Sequence, residues 1–460
     1  MDEFKLYSGR IIGHVNKNLF PEMAAEIGAA FGTYLGKRSV VVISRDFRVD
    51  CHMIKRSTTG GLMGTGIDII DLSSAPTSTL QFVVRKFGAN AGIAFTSSHY
   101  VNGEICIKFI DESGNEMEGK IAEEIIKIYK SKKFNRVPMH EIGKIEAIEN
   151  STGIYQTAVE GFVKRKIIED YDFGNIVLDC SLGPTSILVP NILSELKADI
   201  TTMNAYQVSS LDVLPDTTSL HRISKTVEAI NAELGIILDV EGVKTVAIDN
   251  TGRIIPPEDL TALLIREFLK RRKGKIVLSK YFTERFDSEF KELGAKIIRL
   301  EDAPGNIGRV MTNYRAVIGA TDNGKLFNPI WGPESDGTLT ALTLLEILAQ
   351  REENLNDLMV ELENKKAKST EVATSTFIFN LPPRFKQEIF FKKLEALNKN
   401  KNITVRDTLI GLKIPFSTGW VHFMVSSRPS EILITCETNK SEVLAKIADY
   451  ATEVSRDVIN

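Results

Sequence analysis

Short runs of β-branched and aliphatic residues alternate along this chain with stretches whose apolar positions recur every three to four residues. That alternation predicts strands buried on both faces and covered by amphipathic helices. In the first block, Pro21 opens a helix whose Met23, Ile27, Ala30, Phe31 and Tyr34 share one face. Strands are expected at 40–44, 67–72 and 90–96, and a helix from about Met117 to Lys130. A polar stretch at 130–141 then marks a boundary. The second block has strands at 175–179, 199–204, 235–240 and 244–249, with a helix from Thr185 to Lys197, and ends in the turn Asn250-Thr251-Gly252. In the third, Pro256 and Pro257 begin a helix to about Lys273, strands follow at 275–279, 295–300 and 316–320, and a helix from Gly337 to Gln350 closes the block. Three such βαβ repeats predict an α/β protein with largely parallel strands.

The tail changes character. Strands at 374–380, 403–405, 420–425 and 432–437 lie between a helix from Arg384 to Leu397 and another from Lys440 to Ser455, an order that predicts an α+β unit on an antiparallel sheet. The resulting division is 1–148, 149–252, 253–365 and 366–460.

Composition narrows the function. With 57 Lys and Arg against 60 Asp and Glu the net charge is −3, so no basic excess exists to neutralise a nucleic-acid backbone. No apolar run reaches the roughly 18 residues needed to span a bilayer, and the first residues lack the apolar segment of a secretory signal. Cys51, Cys106, Cys180 and Cys436 stand far apart, without the paired spacing of a zinc site. The expectation is a reduced, cytoplasmic protein that contacts neither nucleic acid nor membrane.

Ligands of open α/β sheets bind beyond the carboxyl ends of strands, so the polar residues after each apolar run carry the candidate chemistry. Thr96-Ser97-Ser98-His99-Tyr100 sets hydroxyls beside an imidazole, with Lys108 ten residues beyond Ser98. An exposed serine with a cation nearby can act as nucleophile or phosphate carrier; a capping turn with a packed histidine has the same composition. Asp239-Val240-Glu241-Gly242-Val243-Lys244 places two carboxylates at alternate positions. Both can turn inward on a hard divalent cation, or Asp239 can accept the loop's own backbone N–H groups. Gly319-Ala320-Thr321-Asp322-Asn323-Gly324-Lys325 is a polar loop able to hold sugar hydroxyls. In the tail, Ser426, Ser427, Arg428 and Ser430 offer hydroxyls and a guanidinium for a phosphate, or form a polar hairpin connection.

Taken in order, these loops resemble those of the α-D-phosphohexomutase superfamily, over essentially the whole chain. Arg45-Asp46-Phe47-Arg48 is similar to the family segment G-R-D-x-R, and Ala75-Pro76-Thr77 to A-P-T-P. Residues 92–109, GIAFTSSHYVNGEICIKF, resemble its phosphoserine segment, T-A-S-H-N-P followed by G-I-K-F, and residues 14–22 resemble the stretch after F-G-T-D-G-x-R-G. The resemblance implies three similar α/β domains with mixed sheets and a smaller fourth domain around a central cleft. It implies phosphoryl transfer between C1 and C6 of a hexose phosphate, mannose or glucose, through a phosphoserine and a bisphosphate intermediate. Ser98, His99, Arg45 and Lys108 take the catalytic positions. Ser98, Asp239 and Glu241 take those of Mg2+ ligands, and Lys244, Thr321, Asp322, Asn323, Lys325, Ser426, Ser427, Arg428 and Ser430 face the substrate. A monomer or homodimer is expected.

The chain also departs from the family pattern. Against the metal loop D-G-D-x-D-R, Asp239 is kept, Glu241 replaces an aspartate, Val243 replaces another, and Lys244 replaces arginine. Thr321 stands at the glutamate of the sugar loop, with Asp322 beside it as a partial substitute, and the R-x-S-G-T-E-P phosphate loop survives only as Ser426 to Glu431. These losses give an alternative expectation, a catalytically impaired paralogue that binds sugar phosphate or a partner mutase.

Overall fold

A computed structural model describes residues 4–97, 103–148, 151–207, 215–366, 372–401 and 403–459. Four sheets succeed one another along the chain. The first has seven strands in the order Lys5–Tyr7, Arg10–His14, Glu104–Asp111, Ala91–Ser97, Val40–Arg45, Asp68–Ser74 and Ile145–Ala147. The second runs Thr245–Asp249, Leu234–Leu238, Asn175–Asp179, Asp199–Met203, and the third Ala295–Leu300, Gly274–Ser279, Ile318–Ala320, Leu326–Phe327. The fourth is antiparallel throughout: Ala373–Asn380, Glu431–Thr438, Gly419–Val425, Gly411–Phe416, Arg406–Asp407. The protein is thus α/β with sheets of mixed orientation and an α+β tail.

The first three sheets are mixed, as the resemblance implies, in a way that matters for the site. Each of the first three sheets pairs its parallel strands and then adds an antiparallel one through a short hairpin: Ala91–Ser97 to Glu104–Asp111, Leu234–Leu238 to Thr245–Asp249, and Ile318–Ala320 to Leu326–Phe327. A connection of six residues or fewer is too short for a parallel crossover, so the chain must turn straight back. The candidate loops at 239–244 and 321–325 are therefore equivalent hairpin turns at the carboxyl ends of buried strands, and most of the loop that carries Ser98 lies outside the described residues. The tail loop is a fourth hairpin, between Gly419–Val425 and Glu431–Thr438.

Two element boundaries also move. The helix expected from Thr185 to Lys197 is a 3-10 turn, Pro184–Ile187, and a separate helix, Val189–Glu195. Pro190 has no N–H to give Ser186, which breaks the hydrogen-bond ladder there. The strand expected at 403–405 falls instead at Arg406–Asp407, paired to Gly411–Phe416.

The helices over the first sheet pack closely because of glycine. A Cβ on Gly28 would lie 2.1 Å from the Thr58 carbonyl oxygen, and one on Gly61 would lie 1.9 Å from that of Ala25, so Pro21–Leu35 and Val49–Met63 meet backbone to backbone. One apolar core runs through the first three units, from Val42 and Leu80 through Tyr155, Leu178 and Ile236 to Leu263, Ile276 and Leu345. Where they meet, the Tyr155 hydroxyl and the Trp331 indole N–H both donate to Asp336, which also caps the helix Gly337–Arg351. The tail has its own core around Phe390 and Phe423, and a second apolar patch, with Leu409, Met424 and Val425, against Val177 and Ile223 of the second unit. Cys51, Cys106, Cys180 and Cys436 are buried free thiols. Among the described residues no helix is long and apolar enough to cross a membrane.

Candidate active site

The turn at 239–244 is the best-anchored of the candidate loops. Asp239 Oδ1 accepts the backbone N–H of Val243 at 2.8 Å and of Lys244 at 3.0 Å, while Gly242, at φ +68°, turns the chain where a Cβ would press on Pro76 and Thr185. Neighbouring units hold it from outside. Thr77 N–H of the first unit donates to the Glu241 carbonyl at 2.9 Å, and Gly337 N–H of the third donates to that of Gly242 at 2.9 Å. The loop of the second unit is thereby fixed at the junction of three.

Lys108 reaches this junction from strand Glu104–Asp111. Its ammonium lies 2.5 Å from Glu241 Oε1 and 2.6 Å from Oε2, and both side chains are buried. Burial works against the lysine's charge, but Glu241 and its neighbours outweigh it and hold the pKa above the ordinary lysine value. Lys244 is buried too, and its pKa is lowered, first by burial, with partial relief from Asp239 and Asp407.

These groups open onto a cavity of about 190 Å³ to which all four sheets contribute. Arg10, Lys108, Lys244, Lys325 and Arg406 bring positive charge to its wall, and Glu241, Asp302, Glu334 and Asp407 bring negative. Arg10 donates to both carboxylate oxygens of Glu116, through Nε and Nη2. Arg406 lies on the ring of Tyr281, 4.3 Å from its centroid, and pairs with Asp322 at 2.9 and 3.1 Å. Among the described residues no carboxylate comes within 4.0 Å of the Lys244 or Lys325 ammonium. Glu334 Oε1 accepts the Glu116 N–H at 3.1 Å; burial pushes its pKa up to about 7, against the pull of Lys325.

The structure brings together Lys108, Glu241, Lys244, Asn323 and Lys325 of the sequence-predicted residues, with Asp239 in the supporting turn. Ser98 and His99, like Tyr100 and Val101, lie outside the described residues. Arg45 ends its strand opposite Phe95, three residues before Ser98; it donates to the Asp46 carbonyl at 2.6 Å and does not line the cavity. Thr321 is buried against Asn323, its hydroxyl 2.6 Å from Oδ1. Asp322, expected to face sugar hydroxyls, is wholly buried on Arg406 and Ser279, because an unpaired guanidinium beneath the cavity would be costlier than a paired one.

Placement of the tail loop differs from expectation. Ser427 donates to the Gly252 carbonyl at 3.0 Å, Ser426 Oγ bonds Glu431, and Gln387 holds the carbonyls of Ser426 and Arg428. The Arg428 side chain is 76% exposed and, among the described residues, pairs only with Glu431, and neither it nor Ser430 lines the cavity. The apolar patch that seats this end of the sheet on the second unit sets that orientation. Arg10, Arg406 and Glu334 are among the cavity residues that motif reading missed; each is isolated in sequence, and their pairing across the fold marks them. A larger hollow of about 510 Å³ around Lys280 and Trp420 contains none of the expected residues.

The family model of phosphoglucomutase/phosphomannomutase α/β/α domain I matches residues 5–136, and that of domain III matches 256–365; together they cover more than half of the chain. A phosphoglucomutase/phosphomannomutase of Thermococcus kodakarensis is 28% identical over 448 residues, 94% of this chain and 93% of its own length. A probable phosphoglucosamine mutase of Pyrococcus horikoshii is 27% identical over 450 residues, 97% and 96% of the two chains. Among solved structures, a phosphoglucomutase/phosphomannomutase family protein of Burkholderia thailandensis superposes with a TM-score of 0.70 at 20% identity, covering 98% and 97%. An Aspergillus fumigatus N-acetylphosphoglucosamine mutase, solved with GlcNAc-6P and magnesium, gives 0.57 at 11% identity over 100% and 96%. The chain belongs to the α-D-phosphohexomutase superfamily, whose enzymes are intramolecular phosphotransferases.

The family implies a magnesium ion at the turn 239–244, and the donors described there meet that need only in part, with the buried Asp239 Oδ2 as one oxygen and Ser98 outside the described residues. Val243 offers no side-chain oxygen, Asp239 Oδ1 is taken by two amides, and both oxygens of Glu241 face an ammonium. Among the described residues no cluster of three His, Cys, Asp or Glu side chains is arranged to hold a metal.

Proposed function

We propose that this protein is a cytoplasmic hexose-phosphate mutase, moving a phosphoryl group between C1 and C6 of a glucose, mannose or glucosamine phosphate. Ser98 carries the phosphate, and the bisphosphate intermediate turns over within the cleft. The observation that carries this reading is the convergence of four units on one cavity with five cationic side chains, two of them without a carboxylate partner within 4.0 Å among the described residues. A dianionic phosphate is the natural complement of such a site, since charge-assisted hydrogen bonds from fixed cations are the strong ones.

In this reading Lys325 and Arg406 hold the phosphate that does not react. Lys108 and Lys244 face the phosphoryl group in transfer. Glu334, half-buried on the same wall, accepts from sugar hydroxyls in place of the glutamate replaced by Thr321. The four units of 1–148, 149–252, 253–365 and 366–460 each supply part of the wall. Phosphoryl transfer asks the protein mainly for position and electrostatics, which such an assembly supplies.

The test is direct. Purified protein incubated with glucose 1,6-bisphosphate should gain one phosphate on Ser98 by intact mass. It should then convert glucose, mannose or glucosamine 1-phosphate to the 6-phosphate, with the preferred sugar identifying the substrate. No conversion of any of the three above a Ser98→Ala control overturns the proposal.

A further inference from the structure

We propose that the outer edge of the first sheet, Lys144 to Ala147, is the face on which a second copy of this chain docks, strand against strand about a two-fold axis at Ile145. The strand Ile145–Ala147 is the last of the seven and runs parallel to Asp68–Ser74, with Ile145 opposite Ile69. Lys144 turns its backbone to that inner neighbour: its carbonyl accepts the Ile69 N–H at 2.8 Å, and its own N–H donates to Asp68 Oδ1 at 2.8 Å. Successive residues of a strand direct their amides to opposite sides, so the N–H and C=O of Ile145 point outward. Among the described residues no strand pairs with them, and Lys144, Ile145, Glu146 and Ala147 are all exposed.

Apolar surface gathers at the same place. Met139, at 86% exposure, Ile142 and Ile145 fall within seven positions, and no other stretch of that length among the described residues holds three exposed large apolar side chains. Charge then selects a second copy as the occupant. Glu141 is already held by Lys37 at 2.6 Å, whereas among the described residues neither Lys144 nor Glu146 has an ion-pair partner. In an antiparallel pair centred on Ile145, the two isoleucines exchange both backbone hydrogen bonds, and Lys144 of each chain lies directly opposite Glu146 of the other. Centring the axis on Lys144 or on Glu146 instead would set like charges against each other, so the sequence favours one register.

A short edge strand that carries a lysine discourages pairing with an uncharged strand, and an identical chain supplies the carboxylate that such a strand lacks. The docking edge also lies away from the cleft. Tyr7, Ser8 and Arg10 reach the cavity from the opposite edge of the same sheet, so the pairing of Lys144 to Ala147 does not cover it.

Sedimentation velocity of the full chain from about 1 to 100 µM reads the association directly. The expected result is a concentration-dependent shift from 51.1 kDa to twice that mass; a monomer throughout overturns the proposal. Lys144→Glu and Glu146→Lys should each weaken the dimer about tenfold or more, because the two-fold axis makes every change count twice. Both positions are exposed, so the urea midpoints should stay with the wild type. An equal mixture of the two single variants should form a dimer again, since each brings the charge the other lacks, and the double variant, with the charges exchanged, should self-associate as the wild type does. A dimer that neither single variant weakens, or a loss that neither the mixture nor the double variant repairs, overturns the proposal.

Discussion

The turns at 239–244 and 426–430 are built alike and held differently. Each joins two antiparallel neighbours at one end of a sheet, and each is rich in polar side chains. The first is gripped by amides from two other units and faces the cavity; the second rests on one carbonyl of Gly252 with Arg428 out in water. The difference lies in the surroundings: three units share one apolar core around the first turn, whereas the tail packs by a patch that turns its loop aside. A motif specifies a turn, and packing decides whether the turn has a site to serve.

The strongest way to break that comparison is at Lys108. Lys108→Met leaves the Glu241 carboxylate buried without its ammonium and should cost about 3–5 kcal/mol in urea unfolding. Adding Glu241→Gln should recover part of that stability and none of the phosphoserine formation. Equal stability of the single and double variants would show that the pair does not hold the turn. Arg406→Ala should come next, at ~3 kcal/mol, because the buried Asp322 then loses both of its guanidinium hydrogen bonds.

Lys325 and Arg428 sharpen the contrast without disturbing the fold. Lys325→Ala should change stability by less than about 0.5 kcal/mol and weaken hexose phosphate binding by about 1.5–3 kcal/mol, or roughly 10- to 100-fold. Arg428→Ala, on the exposed turn, should shift affinity by less than Lys325→Ala does. The reverse order, measured by calorimetry, would put the tail loop back in the site.

The smallest effect concerns pH. Glu334 has a folded pKa of about 7 against 4.5 for an ordinary glutamate. Its protonated form is favoured by folding, so its contribution is complete below about pH 4.5 and is lost as pH rises through 7. Glu334→Gln should flatten stability between about pH 5 and 8, read from urea midpoints at each pH. A slope identical to that of the wild type would remove burial as the cause.

Much of this architecture was legible in the residues. Strands such as Val40–Arg45 and Asn175–Asp179 announce themselves as β-branched runs, and the polar residues after Leu238 and Ala320 mark the turns that meet in the cleft. Lys108 was legible from its distance to Ser98. Arg10, Arg406 and Glu334 were not, because their partners Glu116, Asp322 and the Glu116 amide lie 106, 84 and 218 positions away. The fate of Asp322 was hidden for the same reason: a carboxylate beside a sugar loop looks alike whether it faces ligand or a guanidinium. The tail turn misled because its orientation depends on Leu409 and Met424 meeting the second unit, a contact no local pattern encodes.

The pair of Lys108 and Glu241 spans 133 residues, and that span has a consequence for biosynthesis. At ribosomal speeds of about 5–20 residues per second, the first sheet waits on the order of ten seconds before its counter-ion is made. Throughout that interval a lysine destined for the interior lacks its hydrogen-bonded carboxylate and has the more distant Glu116 and solvent instead. The nascent first sheet therefore has reason to stay open on that flank, closing only when the second has left the exit tunnel.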